Sequence, residues 1–414
     1  MFRGLTGSVS LLLVLVACTT STGDTTSTAV TTSPVVTAST EGTTATPATT
    51  TPIQTSIGSG RLVVLDGSGD VVVMDPDGSN RVAITDNAGD IAIYSQPIWS
   101  PDGAFLAWGQ ATADGFAVGI QGVEEILPTT VDTSNLPFYM YWSPNSQHIG
   151  VLRNGAVGLD FVMVDVPDAS TSVVAGGSPF YFSWSPGSEH VVTHVGADRF
   201  ETVGPDGARE QLGPTAPGYL VPQWTSAGIF HVVDDGLVVE VVGGERRQLV
   251  ELGEFTWFVV NRQGTHVALQ STGGDPGISV GLTEVAAIPG DVVVVLEVAT
   301  GESEVLTQRP ALGFFWSPDG ESLLMMTPTD EGIQKSVWGL RGDTTDYGVF
   351  RPSISLIREI VPFFPQYAQS VSFWAPDSMA FAYSADDGIW VQGIGGGAPN
   401  KVSDGSWVAW SVER

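Results

Sequence analysis

The amino-acid sequence predicts an all-β protein built from a repeated four-stranded unit, and three observations lead to this prediction. Gly (50 residues) and Pro (26) are abundant in a 414-residue chain that is 42% hydrophobic, which is typical of a turn-rich protein with a large core. After residue 57, short runs of β-branched and aromatic residues alternate with Gly, Asp and Pro turns, without a long helical periodicity. One turn sequence also recurs along the chain, which indicates a repeat architecture.

The repeated sequence is a strand that ends in Trp, a turn of the Ser-Pro-Asp-Gly type and a second apolar strand. It first occurs as PIWSPDGAFLAW over residues 97–108. The intervals between successive copies are 43, 42, 40, 36, 56, 58 and 36 residues, each long enough for four short strands. The repeat positions are Trp99, Trp142, Trp184, Trp224, a degenerate copy at Val260, Trp316, Trp374 and Trp410.

Such a unit cannot bury both of its faces alone, so we expect the units to stack side by side around an axis as a β-propeller. Three strands precede the Trp99 unit without a Trp strand of their own, and a single Trp strand follows Lys401. The C-terminal strand is therefore expected to pair with the N-terminal blade, which would remove an exposed sheet edge. This count gives eight blades, with seven as the alternative if the Val260 unit is not a blade.

The WSPDG-type turn followed by an apolar strand resembles the TolB-type propeller repeat, which also occurs in the prolyl oligopeptidase family. The resemblance extends over nearly all of residues 60–414 and implies a propeller, but it is unspecific for function because propellers host many activities. TolB carries an α/β domain before a six-bladed propeller. Here a Ser/Thr-rich segment occupies that place, and the blade count is higher.

Residues 1–17 have the pattern of a bacterial lipoprotein signal peptide. Arg3 precedes the apolar stretch SVSLLLVLVA, and Cys18, the only cysteine, follows it directly, as in a lipobox. We expect Cys18 to be lipidated and to anchor the protein to a bacterial membrane on its extracytoplasmic side; an ordinary secretory signal is the alternative. Residues 18–57 are rich in Thr and Ser and are expected to form a disordered stalk, which leaves 58–414 as the propeller domain.

The formal net charge of −29, with Lys335 and Lys401 as the only lysines, disfavours nucleic acid as a partner. Besides the membrane contact through the lipid, we expect a protein or a cell-wall or glycan partner, and a monomer. No cofactor is predicted. The acidic composition could accommodate a cation such as calcium in the central channel, with no ligands assigned to it.

Several motifs resemble catalytic or metal-binding sites, but a structural role explains them better. Residues 277–281 match G-x-S-x-G, but no helix pattern follows the serine, as a nucleophile elbow requires. His190 and His194 would lie about 13 Å apart on a strand, too far apart to share one ion. Three histidines, His148, His190 and His266, follow the signature residue by six positions and are predicted to pack between blades. Three aspartates are predicted to cap the signature turns: Asp102, Asp319 and Asp377.

One segment, residues 351–370, interrupts the repeat with apolar residues. Phe363, Phe364 and Tyr367 are flanked by prolines at positions 362 and 365, and they have two interpretations. They are either a plug packed on a neighbouring blade or an aromatic patch that faces a partner. A second insertion, 271–290, could border the same face.

These features favour a lipid-anchored extracytoplasmic propeller that acts as a non-catalytic binding module at the cell envelope. One alternative is a propeller enzyme, a hydrolase or lyase with carboxylates in the central channel. The other is a scaffold of an envelope or transport complex.

Overall fold

The computed structural model describes residues 58–411, apart from 124, 126, 198, 214–220, 234–235, 241–243, 252–254, 273–291 and 308. The signal peptide and stalk predicted over residues 1–57 lie outside the described residues. Within the described part, all sheets are antiparallel meanders, and they form the eight blades of a β-propeller. No helix in these ranges is long and apolar enough to cross a membrane.

The first four blades are consecutive along the chain, except that blade 1 takes its inner strand from the C-terminal end. Blade 1 contains β1 (Leu62–Asp66), β2 (Val71–Met74), β3 (Val82–Ala83) and β31 (Gly405–Trp410). Blade 2 contains β4 (Ala92–Trp99), β5 (Phe105–Thr112), β6 (Gly115–Gly122) and β7 (Thr129–Asp132). Blade 3 contains β8 (Pro137–Trp142), β9 (His148–Asn154), β10 (Leu159–Asp165) and β11 (Ser170–Gly177). Blade 4 contains β12 (Phe180–Trp184), β13 (Val191–Val195), β14 (Arg199–Val203) and β15 (Arg209–Gln211).

The remaining blades follow the same order. Blade 5 contains β16 (Gln223–Thr225), β17 (Gly228–Val233), β18 (Gly236–Glu240) and β19 (Arg246–Glu251). Blade 6 contains β20 (Phe255–Val260), β21 (His266–Thr272), β22 (Val293–Glu297) and β23 (Ser303–Val305). Blade 7 contains β24 (Gly313–Trp316), β25 (Ser322–Thr329), β26 (Gly332–Gly339) and β27 (Thr344–Phe350). Blade 8 contains β28 (Ala380–Ala385), β29 (Gly388–Gly393) and β30 (Asn400–Ser403), and its inner position is a single bridge between Trp374 and Phe381.

The ring closes as the sequence predicts. β31 pairs with β1 in the register that places Leu62 opposite Trp410, so the last strand completes the first blade. The Trp407 indole also donates to the Pro97 carbonyl at 3.0 Å, which joins blade 1 to blade 2. The degenerate Val260 unit forms a complete blade, so the count of eight is confirmed and the alternative of seven is wrong.

The repeated tryptophans join neighbouring blades. The Trp184 indole donates to the Tyr141 carbonyl at 3.0 Å, one residue before the equivalent Trp of the preceding blade. The same bond is formed in two later blades, from Trp316 to the Val259 carbonyl at 2.9 Å and from Trp374 to the Phe315 carbonyl at 3.0 Å. An indole supplies a large apolar surface with one polar group, so it fills the space between blades while satisfying a carbonyl of the inner strand.

The signature turns are capped as predicted. Each aspartate carboxylate accepts a backbone N–H two residues later, at 2.9 Å for Asp102, 3.0 Å for Asp319 and 2.9 Å for Asp377. Successive turns are also linked, since the backbone N–H of Asp102 donates to the Ser146 hydroxyl of the next blade. These residues therefore shape the ring.

The position six residues after the signature residue packs against the next blade. His148 stacks on Trp184 with 6.4 Å between ring centroids, and Phe105 lies at the same distance from Trp142. His266 lies 6.2 Å from the Trp316 ring. The packing prediction is thus confirmed for His148 and His266, whereas His190 is exposed.

Because successive strands in each blade are antiparallel, the ring has two different faces. The signature turns lie on one face, where inner strands end, and we call it the signature face. The other face carries the turn between the second and third strands of each blade and the connection from each outer strand to the next inner strand. The 351–371 connection enters from this second face, which we call the insertion face.

Candidate binding site at the central channel

The connection between blades 7 and 8 is helical. It contains a π-helical turn (Leu356–Ile360), a 3₁₀ turn (Val361–Phe363) and the helix α1 (Phe364–Ser370). Pro365 lies in the first turn of α1, where a missing N–H costs no hydrogen bond. Ser353 fixes the start of the segment, because its N–H donates to the Ser384 carbonyl at 3.1 Å and its hydroxyl contacts the Ser384 hydroxyl at 2.9 Å.

Helix α1 plugs the central channel. The Phe364 side chain is 3% exposed, and its ring lies 4.9 Å from Phe314 of blade 7 and 6.4 Å from Trp257 of blade 6. The Tyr367 side chain is 4% exposed and lies 5.1 Å from the Tyr139 ring of blade 3. The aromatic side chains of one helix thus reach inner strands on different sides of the ring.

Polar contacts of the plug satisfy the inner edges of the blades. The Gln366 side-chain amide donates to the Phe182 carbonyl at 2.7 Å and to the Tyr139 hydroxyl at 2.9 Å, and its oxygen accepts the Phe182 N–H at 3.2 Å. An amide that pairs with both backbone groups of one residue replaces the neighbouring strand that an inner edge lacks. The Gln223 amide satisfies the next blade through two residues, since it donates to the Phe258 carbonyl at 2.6 Å and accepts the Val260 N–H at 2.8 Å.

A further amide, that of Gln96 in blade 2, joins the plug to blade 3. Its nitrogen donates to the Tyr367 hydroxyl at 2.8 Å and to the Phe138 carbonyl at 2.7 Å. Burial raises the pKa of Tyr367, with a further contribution from the Glu359 carboxylate, and burial also raises the pKa of Glu359. The Tyr367 hydroxyl therefore keeps its proton and donates to the Phe138 carbonyl at 3.2 Å.

A buried amine lies close to the start of the insertion. Lys335 is 2% exposed, and its Nζ lies 4.2 Å from the centroid of the Tyr383 ring and 4.9 Å from that of Phe350. Burial lowers the pKa of Lys335 to about 8. The two aromatic faces stabilise the cationic form in a place that few water molecules reach.

The structure separates the residues that the sequence grouped as an aromatic patch. Phe364 and Tyr367 come together inside the channel, as a plug would require, whereas Phe363 is 49% exposed on the insertion face. That these residues bind a partner stays a prediction. Gln366 and Gln96 were not predicted as site residues, because nothing in the sequence around them indicates the backbone groups with which their amides pair.

Several sites predicted from the sequence lie outside the described residues: Cys18, the serine of residues 277–281 and nearly all of the insertion 271–290. Among the residues that are described, no group of three or more His, Cys, Asp or Glu side chains could hold a metal ion. The repeat tryptophans Trp99, Trp142, Trp184, Trp374 and Trp410 are buried, and Trp224 and Trp316 are partly buried.

Comparison with known proteins supports the fold. No protein-family model and no curated protein matches the sequence. An oligogalacturonate lyase in complex with manganese is similar in structure, with 13% identity over 86% of this chain and 99% of that one, and a TM-score of 0.50. TolB from Acinetobacter baumannii matches with 15% identity and a TM-score of 0.38, over 68% of this chain and 61% of its own length. A prolyl endopeptidase matches with 12% identity and a TM-score of 0.46, over 83% of this chain and 47% of its own length. At these identities the likeness shows a β-propeller fold and nothing finer.

Proposed function

We propose that this protein is a lipid-anchored, extracytoplasmic, non-catalytic binding module that engages a protein or cell-wall partner at the bacterial cell envelope. The observation that carries the proposal is the central channel filled by the protein's own segment. The exposed side chain of Phe363 lies on the outward surface of that segment. A plugged propeller offers a broad surface at its axis.

The filled channel bears on the competing hypothesis of an enzyme. That hypothesis places carboxylates on the inner strands, around an open channel. The inner strands that the structure describes instead contribute aromatic, aliphatic, hydroxyl and amide side chains to the plug contacts, including those of Tyr139, Ser183 and Trp407. These side chains pair with the plug and with one another, an arrangement that favours a rigid structural role for the inner strands.

The N-terminal sequence supports the location. Lipidation of Cys18 would fix the chain to the membrane surface, and a flexible segment of about 40 residues has an end-to-end distance of about 35 Å. The propeller would therefore lie within reach of envelope proteins and of the cell wall. The acidic composition favours partners that are not themselves strongly acidic.

Site-specific photo-crosslinking in the native host tests the proposal. A photoreactive phenylalanine analogue replaces Phe363 on the insertion face in one strain and Leu340 on the signature face in another. Leu340 is also exposed, and its N–H donates to the Glu321 carbonyl of a signature turn. We expect a discrete crosslinked product from at least one face. If neither position crosslinks to a protein or glycan in an envelope fraction that contains the chain, the proposed function is wrong.

A further inference from the structure

The plug is surrounded by exposed apolar side chains on the insertion face. Its own segment contributes three of them, and two more lie within the first three residues of inner strands that touch the plug. The Phe138 carbonyl accepts the Tyr367 hydroxyl at 3.2 Å, and the Trp257 ring lies 6.4 Å from Phe364. We call this set the mouth patch, and its side chains are between 37% and 71% exposed: Phe138, Trp257, Ile354, Ile357 and Phe363.

Exposed aromatic residues occur on this face alone within the described ranges. The four exposed Phe and Trp side chains there are Phe116, Phe138, Trp257 and Phe363, all at the starts of strands or in the insertion. On the signature face the exposed large apolar side chains, such as Leu340 and Met379, are aliphatic. Aromatic residues clustered at the centre of a surface are typical of protein interfaces.

Exposed carboxylates lie around the mouth patch. They belong to the turns and connections of the insertion face: Asp90, Asp114, Asp132, Asp330, Glu331, Asp386, Asp387 and Asp404. Three exposed arginines lie on the same face, Arg309, Arg351 and Arg358, and the exposed Lys401 forms an ion pair with Asp404 at 2.7 Å. The rim is therefore acidic, in keeping with the net charge of −29 for the whole chain.

From this arrangement we infer that the insertion face binds a basic protein segment that also carries apolar side chains. The apolar side chains would pack on the mouth patch, and the basic side chains would face the acidic rim, which also accelerates encounter. A second copy of this chain or an anionic membrane would bring like charges together on this face. The inference rests on the proposed function, since it names the partner of the same surface.

The test uses the mature chain in nonionic detergent at physiological salt. Three fluorescent peptides serve as probes, of equal length and equal Leu and Phe content, one cationic, one neutral and one anionic. Fluorescence anisotropy is expected to show that the cationic peptide binds at least about tenfold more tightly than the neutral one, a difference of about 1.4 kcal/mol. Equal affinity for all three peptides would overturn the inference.

Variants separate specific docking from general attraction to an acidic protein. Phe138→Ser with Phe363→Ser should weaken binding of the cationic peptide about tenfold, as the loss of central aromatic contacts does. The matched control, Leu340→Ser with Met379→Ser on the signature face, should bind like the parent chain. An equal loss in both variants, or no loss in the first, contradicts the assignment to the mouth patch.

A charge variant keeps the test decisive if the aromatic variant folds poorly. Asp330→Asn, Glu331→Gln and Asp386→Asn change exposed turns beside the insertion and should reduce the preference for the cationic peptide. An unchanged preference overturns the role of the rim. Sedimentation of the parent chain should show a monomer, and a dimer that the aromatic variant abolishes would identify a second copy as the occupant. Crosslinking at Phe363 to a partner with an acidic contact segment would overturn the inference and leave the proposed function intact.

Discussion

Replacing Gln366 by Met tests whether the plug holds the ring together. The substitution keeps a long, unbranched side chain of similar size and removes the amide that pairs with both backbone groups of Phe182. These groups lie on a buried inner edge, and each buried group left without a partner costs about 1–3 kcal/mol. Two such groups give about 2–6 kcal/mol, and the gain from burying a more apolar side chain offsets about 1 kcal/mol. We therefore expect the free energy of unfolding to fall by about 1–5 kcal/mol.

Urea denaturation of the mature chain, followed by circular dichroism, measures this loss. The exposed Gln147, in a signature turn, provides the matched control, and Gln147→Met should stay within about 0.5 kcal/mol of the parent chain. Gln223→Met should lose as much as Gln366→Met, because that amide also satisfies one carbonyl and one N–H of an inner strand. A loss below about 1 kcal/mol for Gln366→Met would refute the argument that amides replace a missing strand.

Three further predictions follow from the anchor, the buried lysine and the repeat tryptophans. Cys18→Ala should move the protein from the membrane to the soluble fraction on cell fractionation, and retention in the membrane would contradict lipid anchoring. Burial lowers the pKa of Lys335 from 10.5 to about 8, so the unfolded chain binds this proton more tightly, and Lys335 should add at most about 3 kcal/mol to the free energy of unfolding between pH 8 and 10.5. Buried tyrosines such as Tyr367 have raised pKa values and act in the opposite direction in both chains, so the stability of the parent chain should rise relative to that of Lys335→Met, and identical pH profiles would disprove it. Trp374→Phe leaves the Phe315 carbonyl without its indole donor and should cost about 1–3 kcal/mol in the same urea assay, whereas an unchanged midpoint would mean that this bond contributes nothing.

The fold could be predicted from the sequence because the repeat is marked by turn-forming residues at a regular spacing. Three signature turns combine a strand-ending Trp with an Asp that caps the turn, as Trp316 and Asp319 do in blade 7. The weak copy at Val260 still forms a blade, since its Asn261 side-chain oxygen accepts the N–H groups of Thr265 and His266 as a turn cap. Local turn chemistry and spacing were sufficient to count the blades.

The plug could not be predicted in the same way. Leu356, Ile360, Phe364 and Tyr367 recur at the spacing of one helix face, but two prolines interrupt the stretch. The helix forms where the surrounding inner strands provide partners. Gln366 pairs with a residue 184 positions earlier in the chain, a distance at which no local pattern is informative. Phe363 and Phe364 are adjacent and chemically identical, yet Phe363 is exposed, whereas Phe364 is buried together with Leu356 and Ile360.

The plug also connects the architecture of the ring with the proposed binding surface. Seven inner strands and the bridged inner segment of blade 8 enclose an axis that their own side chains do not fill, and they present backbone groups that need partners. Helix α1 fills this space with the rings of Phe364 and Tyr367 and satisfies part of the edge through Gln366. Because the segment is held from several sides, Phe363 and its exposed neighbours are fixed on a rigid base. A rigid apolar surface loses little conformational entropy when a partner binds, so the element that completes the fold is also well suited to carry the interface.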